Sequence, residues 1–292
     1  MIIFFSYLED YEITQKVALC IYIFIKFTMK MNLPEIDIIG TGNLATSLAP
    51  ALEQNGFVIG NVYGRSIKSA QRIANNLYQA SATDSLNFGN SRSSVFLLAI
   101  ADDAIEEVAR ELVLPSKAVV AHTSGTKNLS VLGYTASPNI GVFYPLQTFS
   151  KIKRVSFDKL PILIEGDNSY TRKVLQGLAK RISGTVRESS SKQRRMIHLA
   201  AIFAGNFTNA MLANASELMQ TSNSDLQLLR PLIEETINKS MALGPENAQT
   251  GPAARGDIEV LDEHLLMLEK YPDLRETYRL ISQQIIDRSE TD

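Results

Sequence analysis

From Glu35 onward, short apolar runs alternate with amphipathic stretches. That alternation is the signature of a parallel sheet covered by helices. Ile36-Asp37-Ile38-Ile39 reads as a first strand. Leu44, Leu48 and Leu52 recur every four residues and predict a helix, which Gly56 ends as its C′ residue. Phe57 to Tyr63 predicts a second strand, and Ile67 to Tyr78 a second helix. Ser94 to Ile100 is a near-continuous apolar run, as expected of a strand buried on both faces. Asp102 reads as the cap of a helix from Asp103 to Leu112. Ala118 to Ala121 and Asn139 to Phe143 predict two more strands, with Leu160 to Ile164 and Gly184 to Arg187 as later additions to the sheet.

After Glu188 the pattern changes. Ser189-Ser190-Ser191 is a polar break, and beyond it the periodicity is helical throughout: Lys192 to Met219, Leu226 to Leu243, Ile258 to Lys270 and Asp273 to Arg288. The expected architecture is therefore α/β, a mostly parallel sheet domain over residues 33–188, then an all-helical domain over residues 189–292.

Residues 1–32 stand outside this plan. The first thirty hold 7 of the 22 aromatic residues, and the unbroken apolar run Val17–Ile25 has Lys16 and Lys26 on its flanks. Nine residues fall short of the roughly 20 that a spanning helix needs. Glu9, Asp10 and Glu12 oppose a basic n-region, and Ile23-Phe24-Ile25 offers no small residues for cleavage. The segment reads as an N-terminal extension outside the fold, with a native start at Met29 or Met31. A peripheral anchor and a packed extra helix are the alternatives.

Composition narrows the function classes. The net charge is −2, so the broad basic field of a nucleic-acid binder is missing. One cysteine excludes an intrachain disulfide and a Cys₄ or Cys₂His₂ zinc site; with three histidines a metal enzyme would rely mostly on carboxylates, and no metal site is expected.

The chemistry begins at Gly40-Thr41-Gly42-Asn43-Leu44-Ala45, a G-x-G-x-x-A between a predicted strand and a predicted helix. Gly40 permits the tight turn, Gly42 lets the backbone approach a pyrophosphate, and Ala45 lets helix and strand pack closely. The pyrophosphate then meets free N–H groups at a helix N-terminus. A structural glycine turn is the competing reading. NAD sites place an acid at the end of the second strand. Here that position reads Tyr63-Gly64-Arg65-Ser66, with no carboxylate. Arg65 can grip a 2′-phosphate and Ser66 can donate to it, which points to NADP. Ala99-Ile100-Ala101, at the end of the strand from Ser94, completes the expected cofactor wall.

Substrate groups are sought at the carboxyl ends of the strands. His122-Thr123-Ser124-Gly125 closes the strand Ala118–Ala121; His122 could shuttle a proton and Ser124 orient a carbonyl, or the hydroxyls could cap a turn. Phe143-Tyr144-Pro145-Leu146-Gln147-Thr148-Phe149 reads as a loop suited to a pocket wall. On the following helix, Arg195 and Asn206 lie about 20° apart at 100° per residue, as do His198 and Asn209, so all four share one stripe. His198 and Asn206 are cleft candidates, with a satisfied core pair as the competitor. Arg255, in Thr250-Gly251-Pro252-Ala253-Ala254-Arg255-Gly256-Asp257, is a candidate for an anionic substrate or a dimer neighbour.

Over residues 33–288 these motifs resemble a bacterial family of NADP oxidoreductases with a Rossmann-like N-terminal domain and a C-terminal helical domain of unknown function. The carriers are the dinucleotide fingerprint, His122-Thr123-Ser124-Gly125, Tyr144-Pro145-Leu146-Gln147-Thr148-Phe149, His198-Leu199-Ala200-Ala201 through Asn206, and Thr250-Gly251-Pro252 with Arg255-Gly256-Asp257. The family is similar to deazaflavin-dependent NADP oxidoreductases, pyrroline-5-carboxylate reductases and 6-phosphogluconate-type dehydrogenases. Members often carry a histidine where Tyr144 stands, a departure that counts against a proton-transfer role at that position. The resemblance implies a homodimer through the helical domain and an active site between the domains. It supplies no substrate.

The resulting expectation is a cytoplasmic NADP-dependent oxidoreductase acting on a small, anionic carbonyl, imine or hydroxy compound, with no nucleic-acid or membrane partner. His122 or His198 is the expected acid/base, Ser124 and Asn206 orient the substrate, and Arg255 neutralises it. The alternative is a non-catalytic NADP-binding redox sensor acting through a partner protein.

Overall fold

The computed structural model describes residues 33–289 apart from 151, 153 and 154. The expectation for the N-terminal extension falls outside the described residues. Two compact units emerge, one ending at Ile202 and the other starting at Phe203.

The first unit is built on one eight-stranded sheet of order β3-β2-β1-β4-β5-β6-β7-β8. The strands are β1 Glu35–Ile39, β2 Val58–Tyr63, β3 Ser81–Thr83, β4 Val95–Leu98, β5 Val119–His122, β6 Asn139–Pro145, β7 Ile162–Gly166 and β8 Val186–Glu188. All pairings are parallel except β6 with β7. The helices of this unit are α1 Asn43–Gln54, α2 Ile67–Ala74, α3 Ile105–Glu111, α4 Ser169–Ile182 and α5 Ser191–Ala201.

Alternate residues of the central strands fill two cores. Ile36, Ile38, Leu97 and Phe143 pack with Leu48, Leu52 and Leu175 on one face. Ile39, Phe96, Leu98 and Val120 pack with Ile105 and Leu132 on the other. Burial of each such side chain is worth about 2 kcal/mol. Gly56 takes φ +92° just after α1, the left-handed turn expected of its position.

Several local expectations shift. The second helix stops at Ala74, and the short edge strand β3 follows it. Asp102 caps nothing: it opens a 3₁₀ turn, Asp102–Ala104, without a side-chain cap bond, and its carboxylate accepts from the Thr126 hydroxyl instead. Strand β6 runs on to Pro145, so Tyr144 is a strand residue and not part of a loop. Its antiparallel partner β7 supplies the extra pairing, Tyr144 opposite Leu163.

One strand charge is unusual. Asp37 is fully buried in β1. Its carboxylate accepts from the Asn61 N–H at 2.6 Å, the Asn61 amide at 3.1 Å, Ser91 Oγ at 2.8 Å and Ser93 Oγ at 2.7 Å. A buried carboxylate needs such saturation.

In the second unit, α6 Thr208–Thr221, α7 Arg230–Leu243, α8 Pro245–Ala248, α9 Pro252–Arg255, α10 Ile258–Met267 and α11 Pro272–Ser289 follow one another. His264 Nδ1 lies 2.7 Å from Tyr278 Oη and ties α10 to α11. Between α5 and α6, residues Ile202–Phe207 form a π-helical turn. The spacing of 100° per residue assumed for Arg195, His198, Asn206 and Asn209 does not hold through a π turn.

Candidate functional site: a dinucleotide cradle and a tyrosine–histidine pair

The strand order reverses between β1 and β4, and ligands of open parallel sheets bind outside the carboxyl ends at such a point. The turn from β1 into α1 lies there. Gly40 takes φ +131°, and a Cβ on it would overlap the Ala99 carbonyl, so only glycine fits. Gly42 is the N-cap of α1 and offers no side chain as a cap; the first turn carries no acid either. Its first N–H groups therefore stay open. A Cβ on Gly42 would meet only the Ala99 oxygen, at 4.0 Å.

That open side faces a cavity of about 510 Å³. Gly40, Thr41, Gly42, Asn43 and Leu44 form one wall, Tyr63, Gly64 and Arg65 a second, and Ala99, Ile100, Ala101 and Thr123 a third. Arg65 is exposed, and among the described residues no ion pair holds it. Ala45 is buried inside α1, and Ser66 is the exposed N-cap residue of α2, outside the cavity lining. Asn43 donates its amide to the Phe149 carbonyl at 3.0 Å, so the segment after β6 reaches the fingerprint turn.

The carboxyl end of β5 holds the other candidates. His122 is fully buried, and its Nδ1 accepts the Ser124 N–H at 3.1 Å. The ring proton thus sits on Nε2, which has no partner in bonding geometry among the described residues. Burial, reinforced by the Arg194 charge, pushes its pKa down to about 4, with the Asn128 carbonyl and Asp102 opposing. His122 is neutral at pH 7. Ser124 Oγ accepts the N–H groups of Thr126 at 3.0 Å and Lys127 at 2.9 Å, the turn-capping geometry. Thr123 donates its hydroxyl to the Leu98 carbonyl at 2.9 Å.

Gly125 comes next, and two rings close over it. Tyr144 Oη lies 2.8 Å from His198 Nδ1, and the rings meet edge to face with centroids 5.9 Å apart. Burial raises the Tyr144 pKa above the usual phenol range; the Asp102 charge adds to this and Arg194 opposes it. The phenol therefore keeps its proton at neutral pH.

The start of α5 is fixed by a capping box: Ser190 Oγ accepts the Gln193 N–H at 3.3 Å, and Gln193 Oε1 accepts the Ser190 N–H at 3.1 Å. Arg194, only 1% exposed, pairs with Glu165 of β7 and donates to the Lys127 carbonyl. Glu165 also accepts the N–H and the hydroxyl of Ser191, at 2.9 and 2.8 Å. His198 stands one helical turn after Arg194, so this anchor sets where its ring lies.

Arg195, expected on the polar stripe, is exposed, and the buried arginine is Arg194. The expectation for Tyr144 included no partner. The available signal was the i, i+4 spacing of Arg194 and His198 on an amphipathic helix. In the second unit, Asn206 is exposed in the π turn. Arg255 is exposed and chelates its neighbour Asp257 at 2.7 and 3.0 Å.

Two family descriptions match the chain: a Rossmann-like domain over residues 28–139 and a domain of unknown function, DUF2520, over residues 160–285. A "putative NADP oxidoreductase" from Bacteroides fragilis is 38% identical, with 87% of this chain and 98% of that one aligned at a TM-score of 0.81. A reductive aminase from Aspergillus terreus, solved with NADPH and ethyl levulinate, shares the fold at 12% identity, covering 88% and 94% with a TM-score of 0.68. A 1-pyrroline-5-carboxylate reductase from Streptococcus pyogenes does so at 15%, covering 89% and 100% with a TM-score of 0.58. No curated protein sequence matches. With the Rossmann-like domain, the second domain of unknown function and this alignment over nearly the whole Bacteroides chain, the protein belongs to that family of NADP oxidoreductases.

Proposed function

We propose that this protein is an NADP-dependent oxidoreductase that moves a hydride to or from a small, anionic carbonyl, imine or hydroxy compound. The observation that carries this reading is the cradle itself. Gly42 leaves its Cβ side open at an uncapped helix N-terminus, above a cavity of about 510 Å³ that Arg65 also lines. These residues fit a dinucleotide phosphate: open N–H groups for the pyrophosphate, and a free guanidinium for a 2′-phosphate. Thr41, Asn43 and Leu44 continue the phosphate turn, Ser66 adds a hydroxyl beside Arg65, and Ala99, Ile100 and Ala101 form the far wall. When bound, the nicotinamide supplies hydride chemistry.

The chain's own residues handle the proton and the substrate. His198 is preferred to His122 as acid/base. His122 is sealed from solvent with its Nδ1 engaged, whereas His198 is only partly buried. Ser124 and His122 then serve to shape the turn under Gly125. Asn206 and Arg255 are assigned to orient and neutralise the substrate, Arg255 by exchanging Asp257 for a substrate carboxylate.

A second copy of the chain is the proposed partner. In the helical unit Leu232, Met241, Leu266 and Met267 are all more than half exposed. So much apolar surface on a folded unit marks an interface. The stretch Ser191–Thr221 is long enough to cross a membrane and contains an 18-residue window of mean hydropathy 1.3. Yet its first turns are anchored to the sheet through Arg194, so its apolar surface is assigned to the dimer and the protein to the cytoplasm.

The test is a fluorescence titration with NADPH, followed by NADPH oxidation with aldehydes, ketones, 2-oxo acids and cyclic imines. Saturable binding and turnover of at least one of these are expected. No binding of NADPH would overturn the reading.

A further inference from the structure

Resting on that oxidoreductase reading, we infer that Tyr144 is the group that hands the proton to the substrate heteroatom, and that His198 replaces that proton. Four groups compete for the role at the carboxyl ends of β4, β5 and β6, and three are already committed. Asp102 accepts from the Thr126 hydroxyl, His122 Nδ1 accepts from a backbone N–H, and Ser124 Oγ accepts from two. Among the described residues Tyr144 Oη has one hydrogen-bond partner, His198 Nδ1 at 2.8 Å, and both residues are only partly buried.

Two short stretches of chain connect the pair to the cradle. Thr123 lines the cavity, and Gly125, two residues on, carries both rings. Phe149, five residues after Tyr144, accepts from Asn43 of the fingerprint. Its charged surroundings are Asp102 on the β4 side and Arg194 on the α5 side. Asp102 favours the protonated phenol.

Hydride arrives at the substrate carbon, and the C=O or C=N π pair moves onto the heteroatom. The heteroatom takes the Tyr144 hydroxyl proton. The resulting phenolate takes the Nδ1 proton of His198, while Nε2 takes one from water. One hydride and one solvent proton are consumed, and no other reductant is needed.

Three histidines make the pair directly observable, because the ring nitrogens of His122, His198 and His264 can be followed separately by ¹⁵N correlation spectroscopy of the cofactor-free protein. His264 with Tyr278, at 2.7 Å, is an internal control of the same geometry. Tyr144→Phe should shift the His198 signals alone, and Tyr278→Phe those of His264 alone. With the best-reduced carbonyl or imine of the panel, Tyr144→Phe should lower kcat by about 100-fold or more and leave KM and NADPH affinity within about threefold. His198→Asn should lower kcat as well, and the double variant should lose no more than the worse single one, since the two act as a unit. Unshifted His198 signals, a Tyr144→Phe enzyme within threefold of the parent, or losses that multiply would each overturn the inference. A parent protein that binds NADPH but reduces nothing, or fails to bind it, overturns the oxidoreductase reading instead, and the spectra still decide the pair.

Discussion

The backbone of Gly125 lies so close under His198 that a Cβ there would stand 2.5 Å from Nδ1 and 3.0 Å from Tyr144 Cζ. Glycine is required at this point for close approach, not for an unusual backbone angle. Gly125→Ala should push the imidazole off Tyr144 while the sheet below stays intact. The expected result is a kcat loss of about 100-fold with NADPH affinity unchanged. Single-turnover kinetics and a cofactor titration on the same sample check it. Unchanged kcat would mean that the rings tolerate the methyl and that their spacing is unimportant.

The Arg194–Glu165 pair predicts a different kind of loss. Their side chains are 1% and 17% exposed. Removing one partner of such a pair leaves a charge without its counterpart, at a cost of about 3 kcal/mol. Glu165→Gln and Arg194→Met should each lower stability by about that amount in urea unfolding. The double variant should regain part of it, because neither charge is then stranded. Additive losses would show that the two side chains contribute separately.

The proposed contact of Arg65 with a 2′-phosphate predicts a cofactor preference. A charge-assisted, bidentate contact is worth about 1.5–3 kcal/mol. Arg65→Ala should therefore weaken NADPH binding by about 10- to 100-fold and leave NADH binding nearly unchanged. Parallel titrations with the two cofactors measure the ratio. A ratio equal to the parent's would remove Arg65 from the phosphate site.

His122 predicts a pH dependence of stability. Its pKa is about 4 in the fold, against an ordinary value of 6.5. Between those values the unfolded chain binds the extra proton, so stability rises with pH. The contribution of the neutral ring is complete above pH 6.5 and is lost as pH falls toward 4. At 1.36 kcal/mol per unit the full effect is of order 3 kcal/mol. Thermal melts from pH 4 to 7.5 should show a flatter profile for His122→Gln than for the parent. Equal slopes would place the acid sensitivity elsewhere.

Much of the sheet domain could be read from the chain, because its signals are local. The four-residue rhythm of Leu44, Leu48 and Leu52, the closing Gly56 and the buried run around Phe96 and Leu97 all depend on near neighbours. So does the fingerprint from Gly40 to Ala45, whose spacing encodes a turn and a helix start. The same locality explains the errors. Asp102 has the residue type and position of a cap, but its hydroxyl partner, Thr126, lies 24 residues away. Tyr144 looked like loop because Pro145 follows it, while β7, supplied by residues well downstream, extends the strand.

What the sequence by itself determined is the order of strands and helices, the glycine cradle and the absence of an acid after β2. These follow from periodicity and backbone freedom over a few residues. Only the tertiary structure decided which polar groups meet. It seated Arg194, not Arg195, against Glu165. It sealed His122 beneath the turn, and brought Tyr144 to His198 across 54 residues. Such pairings depend on how the sheet and α5 pack against each other, and no pattern confined to one element carries that information.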